Sequence, residues 1–321
     1  MKFKNISKTI KAVIFFVITI GANETKSQEI IKQEKVIIEK DSIDFLYISN
    51  SDNKPKPILL FLQGSLCYPL FLENNGFPKV NLPFDFTNFL NNVNIVLIKR
   101  KGCPMNYDRK KIDFLVNNPP NEFKKFDNLN YRVFQANEVI KYLKQNQNTQ
   151  EIYVVGHSEG YRVASKLSEI NQNINKMICL SSNPFSRSVE NILLKSTENY
   201  LYENDASRIN QIEDEYFYNY LVNEDSSKDE NFYSYNKHLP LDSFKKFEKP
   251  LLIAFGSNDL SSSLNLFLPF ILVDQQNISV KSYPDLGHNF EKTTINKNDS
   301  AQTTYFWDAV FGDCVRWLLE N

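Results

Sequence analysis

The 321-residue chain is poor in several residue types that carry strong functional signals. It has only three histidines and four cysteines, and its formal net charge is −1. With a charge this close to zero we expect no strong positive field, and therefore neither nucleic acid nor an anionic membrane as a partner. The cysteines form no Cys-x-x-Cys pair and no cluster with histidine. We therefore expect no metal site, and no cofactor is required.

The N-terminus has the layout of a secretory signal peptide. Four lysines precede an apolar run at 12–20, and small or polar residues follow at 21–27. The run is much shorter than the roughly 20 residues that span a bilayer. We therefore expect cleavage near Gln28 and no stable membrane anchor, with a retained anchor as the alternative. The predicted organisation is a signal peptide over 1–27, a single domain over 28–321, and export to the periplasm or the extracellular space.

Export would place the four cysteines in an oxidising compartment, where disulfides persist. Cys67 and Cys103 each follow a predicted strand, and these strands are expected to be neighbours. One interpretation is a disulfide at the rim of the sheet, and the other is two free, partly buried thiols. Cys179 and Cys314 lie in apolar segments and are expected to pack in the core.

Short apolar runs alternate with segments of helical period. An early run at 43–48 alternates weakly and predicts an antiparallel strand. Continuous runs typical of strands buried on both faces occur at 58–62, 95–98, 152–155, 177–180 and 251–255, with a last strand at 278–283. Helices are predicted at 129–143, at 264–273, where Pro269 should either kink or split the helix, and at 305–319. The pattern predicts an α/β class: a doubly wound, mostly parallel sheet of about eight strands.

One stretch interrupts this alternation. About 70 residues separate the strand at 177–180 from the one at 251–255, far more than one crossover needs. Residues 183–248 are rich in aromatic and acidic side chains and are expected to be largely helical. We interpret them as a cap insertion that shapes a substrate pocket, because ligands bind at the carboxyl ends of strands in such sheets. A peripheral packing module is the alternative.

The segment Gly156-His157-Ser158-Glu159-Gly160 lies between an apolar strand and a helical pattern. A sharp strand-to-helix turn of this kind lifts a serine hydroxyl above the sheet and needs residues without a Cβ two positions before and after it. It also places the amide of Glu159 at a helix N-terminus, where developing negative charge is stabilised. The pattern predicts Ser158 as a nucleophile.

A serine nucleophile needs a base, and only His157, His238 and His288 are available. His157 would point away from its neighbour Ser158 in the turn, and His238 lies in the predicted cap. His288 follows the last predicted strand and would reach the same rim as Ser158. We predict His288 as the base.

The base needs an acid to fix its tautomer. Asp259 directly follows the strand at 251–255, which ends at that rim. The chain order is then Ser158, Asp259, His288, an order known for serine nucleophiles on a strand-to-helix turn of this kind. Asp285 is a weaker candidate because it lies only three residues from His288, and a helix cap is the alternative role for Asp259.

An oxyanion hole needs a second amide besides that of Glu159. Gly64 follows the strand at 58–62 and can turn the next amides toward the nucleophile. We predict Ser65 as the donor, with Leu66 as the alternative; an ordinary strand-ending turn is the other interpretation. The charged run 99–101 is expected to be solvated rather than to meet an anionic substrate, and Glu159 and Arg162 are expected to form structural or solvated ion pairs.

Together these segments resemble the α/β-hydrolase superfamily over about residues 36–320, although many members have His-Gly where this chain has Gln63-Gly64. The resemblance implies a serine hydrolase working through an acyl-enzyme, with a small-molecule or short-peptide substrate. The first expectation is a carboxylic-ester hydrolase. A serine peptidase of aminopeptidase type and a non-catalytic binding protein on the same fold remain the alternatives, and the sequence leaves the acyl group, the leaving group and the oligomeric state open.

Overall fold

The computed structural model describes residues 17–19, 28–39, 41–52, 54–147, 151–191, 193–194, 234–295 and 301–320. Within these ranges a nine-stranded sheet runs in the order β1-β2-β3-β7-β4-β9-β10-β11-β12. Its strands are β1 (Val17–Thr19), β2 (Glu29–Ile38), β3 (Asp41–Asn50), β4 (Ile58–Leu62), β7 (Asn94–Ile98), β9 (Ile152–His157), β10 (Ile174–Leu180), β11 (Leu251–Gly256) and β12 (Ile278–Tyr283). The six strands from β7 to β12 in this order are mutually parallel, whereas β1, β2 and β3 extend one edge in antiparallel pairing. The doubly wound, mostly parallel sheet expected from the sequence is confirmed.

Helices cover both faces of this sheet. The α-helices are α1 (Ile112–Asn117), α2 (Asn121–Phe126), α3 (Leu129–Asn146), α4 (Glu159–Ser168), α5 (Pro240–Lys246), α6 (Leu268–Ile271) and α7 (Trp307–Glu320). Single 3₁₀ turns or short 3₁₀ helices occupy Phe86–Phe89, Arg109–Lys111 and Leu260–Phe267. Two small sheets complete the described structure: β5 (Phe71–Asn74) with β6 (Phe77–Val80) and β8 (Asn106–Asp108), and the hairpin of β13 (Glu291–Ile295) with β14 (Ala301–Tyr305).

The central strands are apolar throughout because both of their faces are covered. In β4, Leu60 and Leu62 pack with α3, α4 and α5, whereas Leu59 and Phe61 pack with α7 on the other face. The predicted face of α3 is buried along its whole length, from Leu129 to Leu143. These two layers of helix hold the carboxyl ends of β4, β9, β11 and β12 at one rim of the sheet.

Several elements differ from the predictions. Strand β2 was not predicted. It pairs with β3 along its whole length, but its mixed polar and apolar residues are mostly half-buried and form no continuous apolar run. The helix predicted at 264–273 is split rather than kinked: the 3₁₀ helix Leu260–Phe267 comes first, and Pro269 lies at the start of the short α6. Proline lacks the amide N–H that would continue a helix, so it begins a new turn instead. Tyr305 ends β14, and the last helix begins at Trp307.

Much of two predicted segments lies outside the described residues. Of the predicted signal peptide 1–27, only β1 is described; it pairs with β2 through Val17 and Lys32. Of the predicted cap 183–248, residues 192 and 195–233 are outside the description. The described part contains helical backbone at 187–191, 193–194 and 234–236, and it contains α5. No helix in the described part of the chain is both long and apolar enough to cross a bilayer.

Candidate active site

Ser158 lies in the sharp turn between β9 and α4. Its backbone has a φ of 53° and a ψ of −134°, a region that residues with a side chain rarely adopt. The Ser158 amide donates to the carbonyl of Leu180, and its carbonyl accepts from Tyr161, both at 3.0 Å. The surrounding structure therefore holds a strained conformation that presents the hydroxyl at the end of the sheet.

The two glycines of the turn are required by close backbone approach. A Cβ added to Gly156 would overlap the backbone of Gly160 and Tyr161. A Cβ added to Gly160 would overlap the carbonyls of Leu62 and Gln63. Because backbone atoms cannot rotate away as a side chain can, any larger residue at either position would displace the turn.

His288 reaches this turn from the loop after β12. Its Nε2 lies 2.9 Å from Ser158 Oγ, and its Nδ1 lies 2.8 Å from Asp259 Oδ2. The structure thus brings the predicted nucleophile, base and acid into one hydrogen-bonded chain. The histidine side chain is about a third exposed, whereas that of Asp259 is almost fully buried.

Asp259 follows β11 and accepts four hydrogen bonds, one of which caps the 3₁₀ helix that follows. Its Oδ1 accepts from the amide and the hydroxyl of Ser261, at 3.1 and 2.6 Å. Its Oδ2 accepts from His288 and from the hydroxyl of Ser262, the latter at 2.6 Å. Burial alone would raise the pKa of Asp259, but the bonds from His288, Ser261 and Ser262 outweigh it and hold the pKa below the usual value.

The carboxylate in turn affects His288. Burial would lower the pKa of His288, but the hydrogen bond to Asp259 and its negative charge raise the pKa above the usual 6.5. Because Nδ1–H is held by Asp259, the neutral ring presents Nε2 as an acceptor toward Ser158 Oγ. The arrangement can take a proton from the serine and stabilise the resulting imidazolium.

The other two histidines have different partners. His157 is buried against Trp307, with ring centroids 4.7 Å apart, and its Nε2 donates to the carbonyl of His288 at 3.1 Å. Burial lowers the pKa of His157 to about 3, so the ring is neutral. The carbonyl of His288 also accepts a hydrogen bond from Ser181 Oγ at 2.6 Å, so two side chains hold the backbone of His288 in place. His238 pairs with Ser165 instead, at 2.7 Å.

The alternative acid, Asp285, lies elsewhere in the loop before His288. Its Oδ2 accepts from Lys292 Nζ at 2.9 Å, and nearly two thirds of its side chain is exposed. Asp259 also fulfils the alternative role considered for it, since it caps the 3₁₀ helix Leu260–Phe267. Capping and binding His288 use different oxygens of the same carboxylate, so the two roles coexist.

The loop after β4 runs beside the nucleophile. A Cβ placed on Gly64 would lie 3.2 Å from the Cβ of Ser158 and 3.6 Å from its Oγ. Ser65 is half-buried and Leu66 is exposed. The first amide of α4, that of Glu159, lies at the helix N-terminus next to Ser158. Residues 63–66, which we call the oxyanion loop, and the start of α4 therefore flank the Ser158 hydroxyl.

Beside this loop lies a buried charge cluster that was not foreseen. We define it as Arg100, Asp127, Arg132, Glu159 and Arg187. Arg132 Nη1 donates to Glu159 Oε1 at 2.9 Å, Arg187 donates to Glu159 Oε2, and Arg100 donates to Asp127 Oδ1. Burial would raise the pKa of Glu159, but the charges of Arg132, Arg187 and Arg100 outweigh it and lower the pKa, so the carboxylate is ionised.

The cluster corrects the expectation for the charged run 99–101 and agrees with the one for Glu159 and Arg162. The run 99–101 is not simply solvated: Arg100 is 5% exposed, while Lys99 and Lys101 pair with Asp44 and Asp41. In an extended chain, successive side chains point to opposite sides. Arg100 therefore points away from Lys99 and Lys101 on either side of it. Glu159 and Arg162 both form structural ion pairs, as expected: Glu159 pairs with Arg132 and Arg187, and Arg162 pairs with Glu190.

A disulfide joins Cys67 and Cys103, with their Cα atoms 5.6 Å apart. It links the segment after the oxyanion loop to the segment after β7. Cys179 and Cys314 are free and buried in the two core layers. Across the ranges given above, no three His, Cys, Asp or Glu side chains converge as a metal ion would require.

Comparison with known proteins rests on structure alone, since no protein-family model and no curated protein matches the sequence. Est1E from Butyrivibrio proteoclasticus is similar with a TM-score of 0.52 and 13% identity, over 90% of this chain and 98% of that one. Acetyl xylan esterase 1 from Thermoanaerobacterium sp. JW/SL YS485 has a TM-score of 0.50 and 12% identity, over 88% and 83% of the two chains. A puromycin-hydrolyzing peptidase of Mycobacterium tuberculosis has a TM-score of 0.53 and 10% identity, over 82% of this chain but 36% of its own. At such identities the likeness establishes a shared fold.

Proposed function

We propose that this chain, which has the α/β-hydrolase fold expected from its sequence, is a serine hydrolase that cleaves carboxylic esters through an acyl-enzyme. The observation that carries the proposal is the chain of hydrogen bonds from Ser158 Oγ through His288 to Asp259, at 2.9 and 2.8 Å. A nucleophile on a strained turn, a base within reach and a buried acid behind it meet the geometric requirements of covalent catalysis.

In the first half of the reaction, Ser158 Oγ attacks the ester carbonyl while its proton passes to His288 Nε2. The carbonyl oxygen becomes an oxyanion, which accepts hydrogen bonds from the amides of Glu159 and Ser65. As the tetrahedral intermediate collapses, the bond to the leaving oxygen breaks and His288 returns the proton to that oxygen. The alcohol departs, and the acyl group remains on Ser158.

In the second half, water takes the place of the alcohol. His288 accepts a proton from the water as its oxygen attacks the acyl carbonyl. Collapse then releases the carboxylic acid and returns the proton to Ser158 Oγ. Asp259 keeps Nδ1–H of His288 in place throughout and stabilises the imidazolium in both halves. The chain's own side chains and amides supply every proton transfer in this scheme.

Two further features belong to the proposal. We propose that the mature chain acts after export, in the periplasm or outside the cell; the N-terminal layout over 1–27 and the bridge between Cys67 and Cys103 support this. We propose a small-molecule ester as substrate. Cleavage of a short peptide by the same residues is the second candidate, and the structural likeness to a puromycin-hydrolyzing peptidase favours testing it.

The proposal is tested with a fluorophosphonate probe, which reacts with an activated serine. Wild type should be labelled, and Ser158→Ala and His288→Ala should not. The matched control is His238→Asn, because His238 is also buried but bonds Ser165 rather than the site. Equal labelling of wild type and Ser158→Ala would contradict the proposal. A folded wild type without labelling or turnover would instead favour a binding protein.

A substrate panel separates the two enzyme candidates. We expect p-nitrophenyl esters of short acids to be cleaved with a kcat/KM at least about tenfold above that for aminoacyl p-nitroanilides, a difference of about 1.4 kcal/mol in transition-state stabilisation. Comparable or faster anilide cleavage, lost in Ser158→Ala, would assign the chain as a peptidase.

A further inference from the structure

We propose that Arg100 and Arg132 are positioning residues: they grip carbonyl oxygens of the oxyanion loop so that the Ser65 amide faces Ser158 and completes the oxyanion hole. This inference rests on the proposed function. It goes beyond it by assigning a task to the buried charge cluster, which includes no member of the Ser158–His288–Asp259 chain.

Arg100 holds the centre of the loop. Its Nη1 donates to the carbonyl of Gly64 at 2.7 Å and to that of Leu66 at 3.1 Å. The guanidinium lies over the ring of Phe123, 4.5 Å from the centroid, and also donates to Asp127. A planar cation fixed on three sides in this way has little freedom to move, so the carbonyls that it binds are fixed as well.

The bond to Gly64 bears directly on the donor. In a trans peptide the C=O and the next N–H belong to one plane and point in opposite directions. The carbonyl of Gly64 shares its plane with the amide of Ser65, so holding that oxygen from one side aims the Ser65 N–H to the other. A charged donor on the oxygen also polarises the peptide group and strengthens its N–H as a donor. The plane between Ser65 and Leu66 has no such bond from the two arginines, which favours Ser65 over Leu66.

Arg132 ties the loop to the other side of the hole. From the first turn of α3, its Nη2 donates to the carbonyl of Gln63, while its Nη1 donates to Glu159 Oε1 at 2.9 Å and to the hydroxyl of Tyr235 at 3.3 Å. Glu159 supplies the other predicted amide. One buried guanidinium therefore sets the distance between the two segments that carry the donors.

The arrangement also explains why buried charges are kept here. A buried ion pair contributes little net stability compared with apolar packing, and losing one partner is strongly destabilising. Neutral side chains could fill the same space, but they could not bind carbonyls and carboxylates together in fixed directions. The cluster is thus better accounted for by the geometry that it imposes on residues 63–66 than by stability.

The experiment compares an ester with the matching thionoester, in which sulfur replaces the carbonyl oxygen. Sulfur is a poor acceptor, so a working oxyanion hole accelerates the ester selectively. We expect wild type to favour the ester strongly. In Arg100→Met/Asp127→Asn, which removes both charges of the pair together, we expect the ester-to-thionoester ratio of kcat/KM to fall about tenfold to a hundredfold, because loss of one donor typically lowers kcat by about 10²–10³. Arg100→Lys should recover part of the ratio, since lysine can still bind one carbonyl.

The matched control is Arg162→Met. Arg162 is equally buried, but it donates to the carbonyl of Phe185 at 2.9 Å and to Glu190 at 2.6 Å rather than to the oxyanion loop. It should lower stability, because a buried ion pair is broken, while leaving the ratio within about twofold of wild type. Circular dichroism and thermal unfolding confirm which variants are folded.

The outcomes separate the two claims. An active wild type whose ratio is unchanged in folded Arg100→Met/Asp127→Asn and in Arg132→Lys would overturn this inference and leave the proposed function intact. A wild type that neither reacts with fluorophosphonate nor cleaves either substrate would overturn the proposed function, and the inference with it. A ratio that falls equally in Arg162→Met would assign the effect to general loosening and contradict the inference.

Discussion

Replacing Asp259 with asparagine removes one charge and almost no volume, and the structure dictates how the new side chain must sit. If the amide NH₂ takes the place of Oδ2, it donates to His288 Nδ1 and forces the proton onto Nε2, where the ring cannot accept from Ser158. If the NH₂ takes the place of Oδ1, it faces another donor, because in the wild type the amide of Ser261 donates to Oδ1 at 3.1 Å. An unsatisfied buried donor there costs about 1–3 kcal/mol, so the first orientation is favoured.

We therefore expect Asp259→Asn to lower kcat by about 10³–10⁴ for p-nitrophenyl esters at neutral pH, as typically follows when the histidine is held in the wrong tautomer. This corresponds to about 4–5.5 kcal/mol of activation free energy. The assay is ester hydrolysis together with the rate of fluorophosphonate labelling. Asp285→Asn is the control, because Asp285 is exposed and paired with Lys292; it should keep activity within about twofold, as surface substitutions do. A folded Asp259→Asn with more than about a tenth of wild-type kcat would refute the assignment of the acid.

Three further outcomes are expected. The kcat/KM for esters should fall as the pH drops through the pKa of His288, because only the neutral ring accepts a proton. The carboxylate of Asp259 raises this pKa above 6.5. A rate that does not change between pH 5 and 8 would contradict the assignment. Gly160→Ala should lower the free energy of unfolding by about 1–3 kcal/mol in urea, since its Cβ meets backbone, whereas Gly312→Ala, with its nearest neighbour at 3.9 Å, should not. Replacing Cys67 and Cys103 with alanine should cost about 3–4 kcal/mol for a loop of 36 residues, and an unchanged denaturation midpoint would exclude a stabilising bridge.

The sequence predicted the parallel part of the fold well because its signal is local. Runs such as 58–62 and 152–155 are apolar at every position, and only burial on both faces explains that. Strand β2 carried no such signal, since only two of its ten residues, Ile31 and Val36, are buried. The split at Pro269 was one of the two expectations for that segment, but the 3₁₀ geometry of Leu260–Phe267 was not predicted, because apolar content does not distinguish a 3₁₀ helix from an α-helix.

The base of the candidate site was predictable because the chain contains few histidines and because the order of the elements limits which of them can reach Ser158. With three histidines in the chain, the position of His288 after the last strand left little choice, and the structure places it 2.9 Å from Ser158 Oγ. The buried cluster was not predictable. Arg100 and Arg132 are far apart in sequence and lie in segments that resemble ordinary charged surface. Only the tertiary packing of α3 and the segment after β7 against the loop after β4 brings them to neighbouring carbonyls of that loop.

His157, next to the nucleophile, has a structural role that its position in the sequence does not reveal. The expectation that it points away from the Ser158 hydroxyl agrees with its position in the core. Its contact with the carbonyl of His288, at 3.1 Å, could not be inferred from sequence because it joins residues 131 positions apart. Removing this hydrogen bond should make the backbone of His288 more mobile without changing any atom that reacts.

The central claim is that Ser158 is a covalent nucleophile, and trapping the acyl-enzyme tests it most directly. The protein is mixed with excess p-nitrophenyl acetate, quenched in acid within the first turnover, digested and analysed by tandem mass spectrometry. The account predicts one acetyl group per chain, located on Ser158 and lost on longer incubation, and no stoichiometric acetylation in His288→Ala. Stoichiometric acetylation at another residue, or rapid turnover with Ser158 never acylated, would contradict it.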